Sequence, residues 1–143
     1  MAVIAKPYTL LSKSLANKEV DLDSDTLKVM LCTSSYTPNQ DTHQYKSSVT
    51  NEVTGTGYTA GGATLASVTV TNTGHVIKLD AADTTWASST ITARYAVVYD
   101  STPASDATRP LICYVDFGAN VESSGGTFQI TWDADGIVTL TAS

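Results

Sequence analysis

The chain has 143 residues, a length that suits one domain with one hydrophobic core. Only 15% of the residues are charged while Thr, Ser, Ala, Gly and Val are abundant, so the composition favours β-sheets with small polar faces over helices. Fourteen acidic against eight basic residues give a formal net charge of −6, without a Lys/Arg cluster, which argues against direct nucleic-acid binding.

Residues 1–19 are predicted to form an N-terminal arm that contains one short helix. Leu10, Leu11 and Leu15 fall at helical spacing, and Thr9 can serve as the N-cap, so we expect a helix from Leu10 to Asn17. The segment lacks the continuous apolar stretch of a signal peptide or membrane span. We therefore expect no membrane association and folding in the reducing cytoplasm in which the chain is translated.

A strand and a long polar loop follow the arm. Alternating apolar residues predict a strand from Leu27 to Cys32. From Thr33 to Gly62 the sequence is polar and rich in Gly, and Tyr36, Tyr45 and Tyr58 punctuate it. Because Tyr is amphipathic and enriched at protein interfaces, two interpretations stay open: the tyrosines contact a partner, or they pin the loop onto the core of the domain.

The remainder of the chain predicts short strands separated by turns. The predicted strands are Leu65 to Val70, His75 to Leu79, Thr84 to Ser88, Arg94 to Tyr99, Leu111 to Phe117, Phe128 to Trp132 and Ile137 to Leu140. Gly118 to Gly126 is predicted to be a turn region, and Asp135-Gly136 a type I′ hairpin turn that pairs the last two strands. Both faces of Arg94 to Tyr99 are apolar enough for a central strand. We therefore expect a single all-β domain over residues 1–143, a two-sheet antiparallel sandwich that is jelly-roll-like.

No catalytic, cofactor or metal site is predicted. Asp21, Asp23 and Asp25 alternate as at the start of a calcium loop, but Thr26 and Cys32 stand where that loop needs Gly and a bidentate acid, so we expect a solvated acidic turn. The remaining candidates are also expected to be structural. Asp133 and Asp135 are typical turn residues, and the glycines of Thr54 to Gly62 predict a tightly turned loop, since no Lys is present to bind a phosphate. His43 and His75 lie outside any nucleophile motif.

Cys32 and Cys113 lie far apart in the sequence, each in an apolar alternating run. Their spacing is not that of a zinc site, and Cys often behaves as a small core residue. We therefore expect two buried free thiols, although the sequence alone leaves a disulfide between them open.

Four segments stand in order along nearly the whole chain: Asp25 to Leu31, Thr50 to Gly62, Ala93 to Tyr99 and Pro110 to Gly118. Together they resemble a family of small virion proteins of tailed bacteriophages. The resemblance implies a non-enzymatic virion component, and among such proteins a capsid decoration or cement protein. Such a protein binds the major capsid protein on the outer shell surface, as a homo-oligomer on the particle.

The arm (Met1 to Leu15) and the long loop (Thr33 to Gly62) are the segments expected to make these contacts, because neither has an obvious reason to fold independently. The candidate partner-binding residues are Tyr8, Leu11, Tyr36, Tyr45 and Tyr58. Two alternatives stay open. One is a tail, baseplate or fibre-associated virion protein, and the other is a virion-displayed carbohydrate-binding module whose Trp86, Trp132 or tyrosines stack on sugar rings.

Overall fold

The chain folds into two β-sheets and one short helix in a computed structural model that describes residues 2–3 and 5–142. The elements are β1 (Ala2–Val3), β2 (Lys6–Pro7), α1 (Leu11–Ala16), β3 (Leu27–Cys32), β4 (Ala63–Thr64), β5 (Thr69–Thr73), β6 (Val76–Asp80), β7 (Thr84–Asp100), β8 (Leu111–Trp132) and β9 (Val138–Thr141). The larger sheet has the order β1-β8-β7-β3-β4, with β2 also on β8, and the smaller one the order β5-β6-β9. Among the strands of the described residues, only β1 and β8 pair in parallel. The predicted antiparallel sandwich is confirmed, whereas this strand order does not confirm a jelly roll.

A long hairpin of β7 and β8 forms the centre of the larger sheet. The two strands pair from Thr84 opposite Ile130 to Tyr99 opposite Leu111. We call residues 95–100 and 111–115 the near half of this hairpin, and residues 84–94 and 116–130 the far half. In the near half β3 pairs with the other edge of β7, from Leu27 opposite Asp100 to Cys32 opposite Tyr95.

Strand β8 curves back on itself. Val3 pairs with Trp132 and Lys6 pairs with Tyr114, so two arm residues three positions apart meet β8 at positions eighteen apart (132 − 114). Three residues span at most about 11 Å, whereas eighteen residues of straight strand would span about 60 Å. The hairpin must therefore bend, and the register shifts along it are the β-bulges that bend strands.

Both faces of the larger sheet are covered in the near half. Val29, Leu31 and Val98 point into the main core, which also contains Leu79 and Val138 of the smaller sheet. A second apolar cluster lies on the opposite face and is covered by the arm and the long loop. Its members are Tyr8, Met30, Cys32, Tyr36, Val97, Tyr99, Leu111 and Tyr114. The sequence prediction that the strand around Arg94 to Tyr99 is central is thereby confirmed.

The helix is confirmed, but its predicted cap is wrong. Leu10 occupies the N-cap position of α1 and no side chain caps the helix. The Thr9 hydroxyl instead donates to Asp41 Oδ1 at 2.8 Å, because the arm lies against the long loop. In the part of the chain that the structure describes, no helix is long and apolar enough to cross a membrane.

Two predicted turns are corrected. Gly118 to Gly126 belongs to β8, because Val121 to Ser124 and Gly126 pair with β7 beyond a bulge at residues 117–120, which have no partner on β7. In the last turn the Gly136 N–H donates to the Asp133 carbonyl at 2.9 Å, and of Asp135 and Gly136 only Gly136 has a positive φ. A type I′ hairpin needs positive φ at two residues, so this turn sends the chain to the other sheet, where β9 pairs with β6 rather than β8.

The other predicted strands are found with shifted bounds. The segment Leu65 to Val70 is mostly loop and β5 begins at Thr69, while Thr84 to Ser88 and Arg94 to Tyr99 are parts of one strand. Cys32 and Cys113 are both buried and free. They lie on strands that flank β7, one in each apolar cluster, so the sheet separates their side chains.

Candidate interaction surface

The arm and the long loop are hydrogen-bonded to each other. The Thr9 N–H donates to the Gln40 carbonyl at 2.9 Å, and the Gln40 side-chain amide donates to the Pro7 carbonyl at 2.8 Å. The Thr9 hydroxyl bonds Asp41, as noted above. The two segments that the sequence analysis assigned to partner contacts therefore contact each other.

A buried chain of aromatic side chains lies beneath this junction. The Tyr8 and Tyr36 hydroxyls are 3.0 Å apart, and the Tyr36 hydroxyl is 3.0 Å from His43 Nδ1. Both tyrosines are only 1% exposed. Burial, followed by the hydrogen bond to Tyr36, raises the pKa of Tyr8, and burial raises the pKa of Tyr36 to about 12. Both hydroxyls therefore stay protonated at neutral pH.

The other two candidate tyrosines are held by acidic residues. The Tyr45 hydroxyl donates to both carboxylate oxygens of Glu19 at 2.9 and 3.1 Å. The Tyr58 hydroxyl donates to Glu52 at 2.6 Å and accepts the Leu31 N–H at 3.0 Å. Burial is the largest cause that raises the pKa of Tyr58, followed by the bond to Glu52. These bonds fix the long loop at two further points.

The structure thus places all five candidate partner-binding residues within the domain's own contacts. Tyr8, Leu11 and Tyr36 are buried, and Tyr45 and Tyr58 are partly exposed. In this conformation the tyrosines pin the loop and arm, which is one of the two interpretations left open by the sequence. Contact of these residues with a partner stays a prediction, and for the buried Tyr8, Leu11 and Tyr36 it requires the contacts within the domain to open.

The acidic turn at Asp21 bonds its own main chain. Asp21 Oδ1 accepts the N–H groups of Asp23 and Ser24 at 3.1 and 3.2 Å, and Asp25 Oδ2 accepts the Asp21 N–H at 3.0 Å. Over residues 2–3 and 5–142, no three His, Cys, Asp or Glu side chains are gathered to hold a metal ion. The carboxylates therefore serve as turn acceptors.

A buried carboxyl group that the sequence pattern does not indicate, that of Asp100, directly follows the predicted strand Arg94 to Tyr99. Asp100 is 0% exposed because it ends β7 opposite Leu27. Its Oδ1 accepts the Thr102 N–H at 2.9 Å, and its Oδ2 bonds no conventional donor among the described residues. Burial and the adjacent Asp25 carboxyl group, which lies within hydrogen-bonding reach, raise the pKa of Asp100 to about 7. The two carboxyl groups can share one proton.

An open strand edge lies in the far half of the hairpin. On β8, the arm pairs only with residues 113–114 and 131–132, so no strand within the described residues pairs with the outer edge of residues 116–127. Phe117 and Val121 pack against the main core from this segment but are only partly buried. The segment also carries two exposed acidic residues, Asp116 and Glu122. Asp116 pairs with Arg94 at 2.8 Å.

The opposite edge of the far half is covered. The Thr90 N–H donates to the Thr56 carbonyl at 2.9 Å. A Cβ at Gly55 would lie 2.3 Å from the Thr90 carbonyl oxygen, so the glycine allows the loop to approach the main chain of β7 closely. The loop therefore protects one edge of the far half and leaves the edge of β8 free.

Comparisons with known proteins identify no relative of this chain. No protein-family model matches the chain, and neither a curated protein nor a solved structure does.

Proposed function

We propose that the chain is a structural protein of a bacteriophage virion, a capsid decoration protein that binds the outer shell surface through the open edge of β8. This proposal rests on the outer edge of β8 at residues 116–127, which no strand of the described residues pairs with. An open edge presents main-chain N–H and C=O groups that pair with an extended segment of another chain. The partner proposed for this edge is an extended surface segment of the major capsid protein.

The composition of the edge supports close approach of such a segment. Gly118, Gly125 and Gly126 have open space where a side chain would stand, and Ala119 and Ser124 are small and exposed. The net charge of −6, with Glu122 exposed on this segment and Asp116 already paired with Arg94, favours a basic partner surface. We therefore expect Lys or Arg beside the segment that adds to β8.

With many copies on one particle, individually weak contacts would be sufficient for stable attachment to the shell. Symmetry repeats the same contact, and each attachment of an oligomer raises the effective concentration of the next. A decoration protein that works in this way resists outward pressure on the shell by distributed binding, without a covalent link.

The two alternative functions differ in what supports them. A tail or baseplate protein could use the same open edge, so placement on the particle decides between it and a decoration protein. A carbohydrate-binding module would need exposed aromatic rings, but Trp86 and Trp132 are only 6% and 5% exposed and pack within the main core.

Electron cryomicroscopy of the intact virion tests the proposal. We expect density for this domain on the outside of the shell, with residues 116–127 beside a strand of the major capsid protein. Density on the tail alone, or absence of the chain from the particle, would overturn the proposal.

A pair of variants tests the edge itself. Ala119→Pro removes a main-chain donor from β8, whereas Ala104→Pro makes the same change in an exposed loop. In sedimentation with shells that lack the chain, we expect Ala119→Pro to bind more weakly and Ala104→Pro to bind like the wild type, with folding of both checked by thermal unfolding. Equal binding of all three proteins would contradict a role for this edge.

A further inference from the structure

His43 accepts two hydrogen bonds at one ring nitrogen. The Asn39 main-chain N–H donates to His43 Nδ1 at 3.3 Å, and the Tyr36 hydroxyl lies 3.0 Å from the same atom. A main-chain N–H can only donate, so Nδ1 must carry a lone pair. His43 is therefore held as the neutral tautomer with its proton on Nε2.

The direction of the buried hydrogen bonds follows from that tautomer. Because Tyr36 donates its hydroxyl proton to His43, its oxygen is free to accept the proton of the Tyr8 hydroxyl, 3.0 Å away. The chain runs from Tyr8 through Tyr36 to His43, with the Tyr36 and His43 rings stacked at 5.8 Å. His43, which is partly exposed, thus sets the orientation of the hydroxyls of Tyr8 and Tyr36, two residues that are only 1% exposed.

We propose that His43 is an acid-sensitive latch that holds residues 36–45 of the long loop on the N-terminal arm. Protonation replaces the lone pair of Nδ1 with an N–H, which then faces the Asn39 main-chain donor. The Tyr36 hydroxyl can keep its bond to His43 only by accepting, and this reversal leaves the Tyr8 hydroxyl proton without its acceptor. The loop then leaves the arm and exposes Tyr8 and Tyr36. This latch does not depend on what the chain binds.

Among the described residues, a small set of hydrogen bonds besides the aromatic chain joins residues 36–45 to the arm, so the latch can open locally. They are the bonds of Thr9 to Gln40 and Asp41, of Gln40 to Pro7, of Gln44 to Ser14 and of Tyr45 to Glu19. The main core, on the other face of the sheet, is not part of this junction. Local openings of this kind occur at free energies below that of global unfolding.

The sign of the pH response follows from burial, which lowers the pKa of His43 below its ordinary value. A lowered pKa in the closed state means that the stability supplied by the latch is present above about pH 6.5, the unfolded value, and is lost as the pH falls through the closed-state value. Acid therefore opens the latch and neutral pH closes it.

Other charged and titratable groups face the junction. They are Asp41 on the loop, Tyr8 on the arm, Cys32 and Tyr114 beside the buried hydroxyls, and Tyr95, whose ring packs edge-on against Tyr36 and lies beneath Arg94. A variant that changes His43 alone keeps all of these groups. A pH response that persists in that variant would belong to them.

Hydrogen exchange measured by mass spectrometry at about pH 7.5 and about pH 5, on either side of the ordinary histidine pKa, tests the latch. His43→Asn places an oxygen acceptor near the position of Nδ1 without a titratable group. His75→Asn is the matched control, because His75 is exposed in the β5–β6 turn. After correction for the intrinsic exchange rate, we expect wild-type protection of peptides covering 5–12 and 36–45 to fall at the lower pH, by about tenfold for each unit of pKa depression. His75→Asn should respond in the same way and His43→Asn should not respond.

In the exchange experiment, either unchanged wild-type protection between the two pH values or an equal loss in His43→Asn would overturn the proposal. Nitrogen NMR of the wild-type protein gives a readout that does not depend on a variant, with the proton expected on Nε2 at neutral pH. A proton on Nδ1 would refute the latch. Should His43→Asn fail to fold, Tyr36→Phe removes one donor to Nδ1 and should raise the pKa of His43, and an unchanged pKa would also refute the latch.

Discussion

The two halves of the β7–β8 hairpin have opposite environments although the same two strands run through both and are separated only by a bulge at residues 117–120. In the near half, β3 lies on one edge of β7, and apolar clusters cover both faces. In the far half one face is exposed, and the outer edge of β8 is open from 116 to 127. A single pair of strands can therefore supply the stable centre of a domain at one end and a surface for another chain at the other.

The largest expected difference between the halves is in the cost of removing a side chain. Ile112 is 0% exposed in the near half, so Ile112→Ala should lower the free energy of unfolding by roughly 4 kcal/mol through lost burial and the cavity left behind. Thr92 is exposed in the far half, and Thr92→Ala should change it by no more than about 0.5 kcal/mol. Urea unfolding measures both values. A similar cost at the two positions would contradict the division of the hairpin.

Two glycine substitutions compare the two halves by their tolerance of an added side chain on the main chain. Gly62 has a φ of 84°, and an added Cβ would lie 1.9 Å from the carbonyl oxygen of Val29 on β3, beside the near half. Gly62→Ala should lower the free energy of unfolding by roughly 3 kcal/mol, since both the positive φ and the overlap with the backbone are unfavourable. Gly125 has a φ of 67° and open space around it, so Gly125→Ala should lower the free energy of unfolding by only about 1–2 kcal/mol. Thermal unfolding of the two variants should preserve this order, and the reverse order would contradict it.

The last difference between the halves is a pH dependence whose sign is opposite in the two. Asp100, at the end of the near half, has its pKa raised to about 7, so the stability linked to it falls as the pH rises from about 4 to about 7. Asp116, in the far half, has its pKa lowered by the hydrogen bond from Arg94, so its small contribution is lost as the pH falls through that lowered value.

Unfolding measured across this pH range in Asp100→Asn and Asp116→Asn separates the two contributions. The first variant should lose the decline towards neutral pH, and the second should keep it. A decline that persists unchanged in Asp100→Asn would show that another group titrates there.

The sequence predicted the elements whose local pattern and tertiary environment agree. Leu27 to Cys32 alternates apolar side chains and is a strand with those bounds, and the leucine spacing of the arm is realised in α1. Gly118 to Gly126 is predicted as a turn because glycine usually interrupts strands, whereas pairing with β7 resumes at Val121 beyond a bulge that contains the positive-φ Gly118. Periodicity within one segment does not show such long-range pairing.

The sites were harder to predict because they depend on contacts between distant segments. Nothing next to Asp100 in the sequence indicates that the pairing of β7 with β3 buries its carboxyl group beside Asp25. The tyrosines of the long loop were recognised as ordering residues, but whether they face the core or a partner is decided by Tyr8, which lies 28 residues before Tyr36. The open edge of β8 also depends on where the arm pairs, and neither two-residue arm strand has a sequence signal of its own.

Hydrogen exchange of the chain, free and bound to the virion, tests most directly whether the far half is the surface that binds another chain. We expect the amides of residues 116–127 to gain protection on the particle, while those of the near half, which are already paired and buried, show little change. A gain confined to the arm and residues 36–45, with the edge of β8 exchanging as in the free protein, would contradict this assignment.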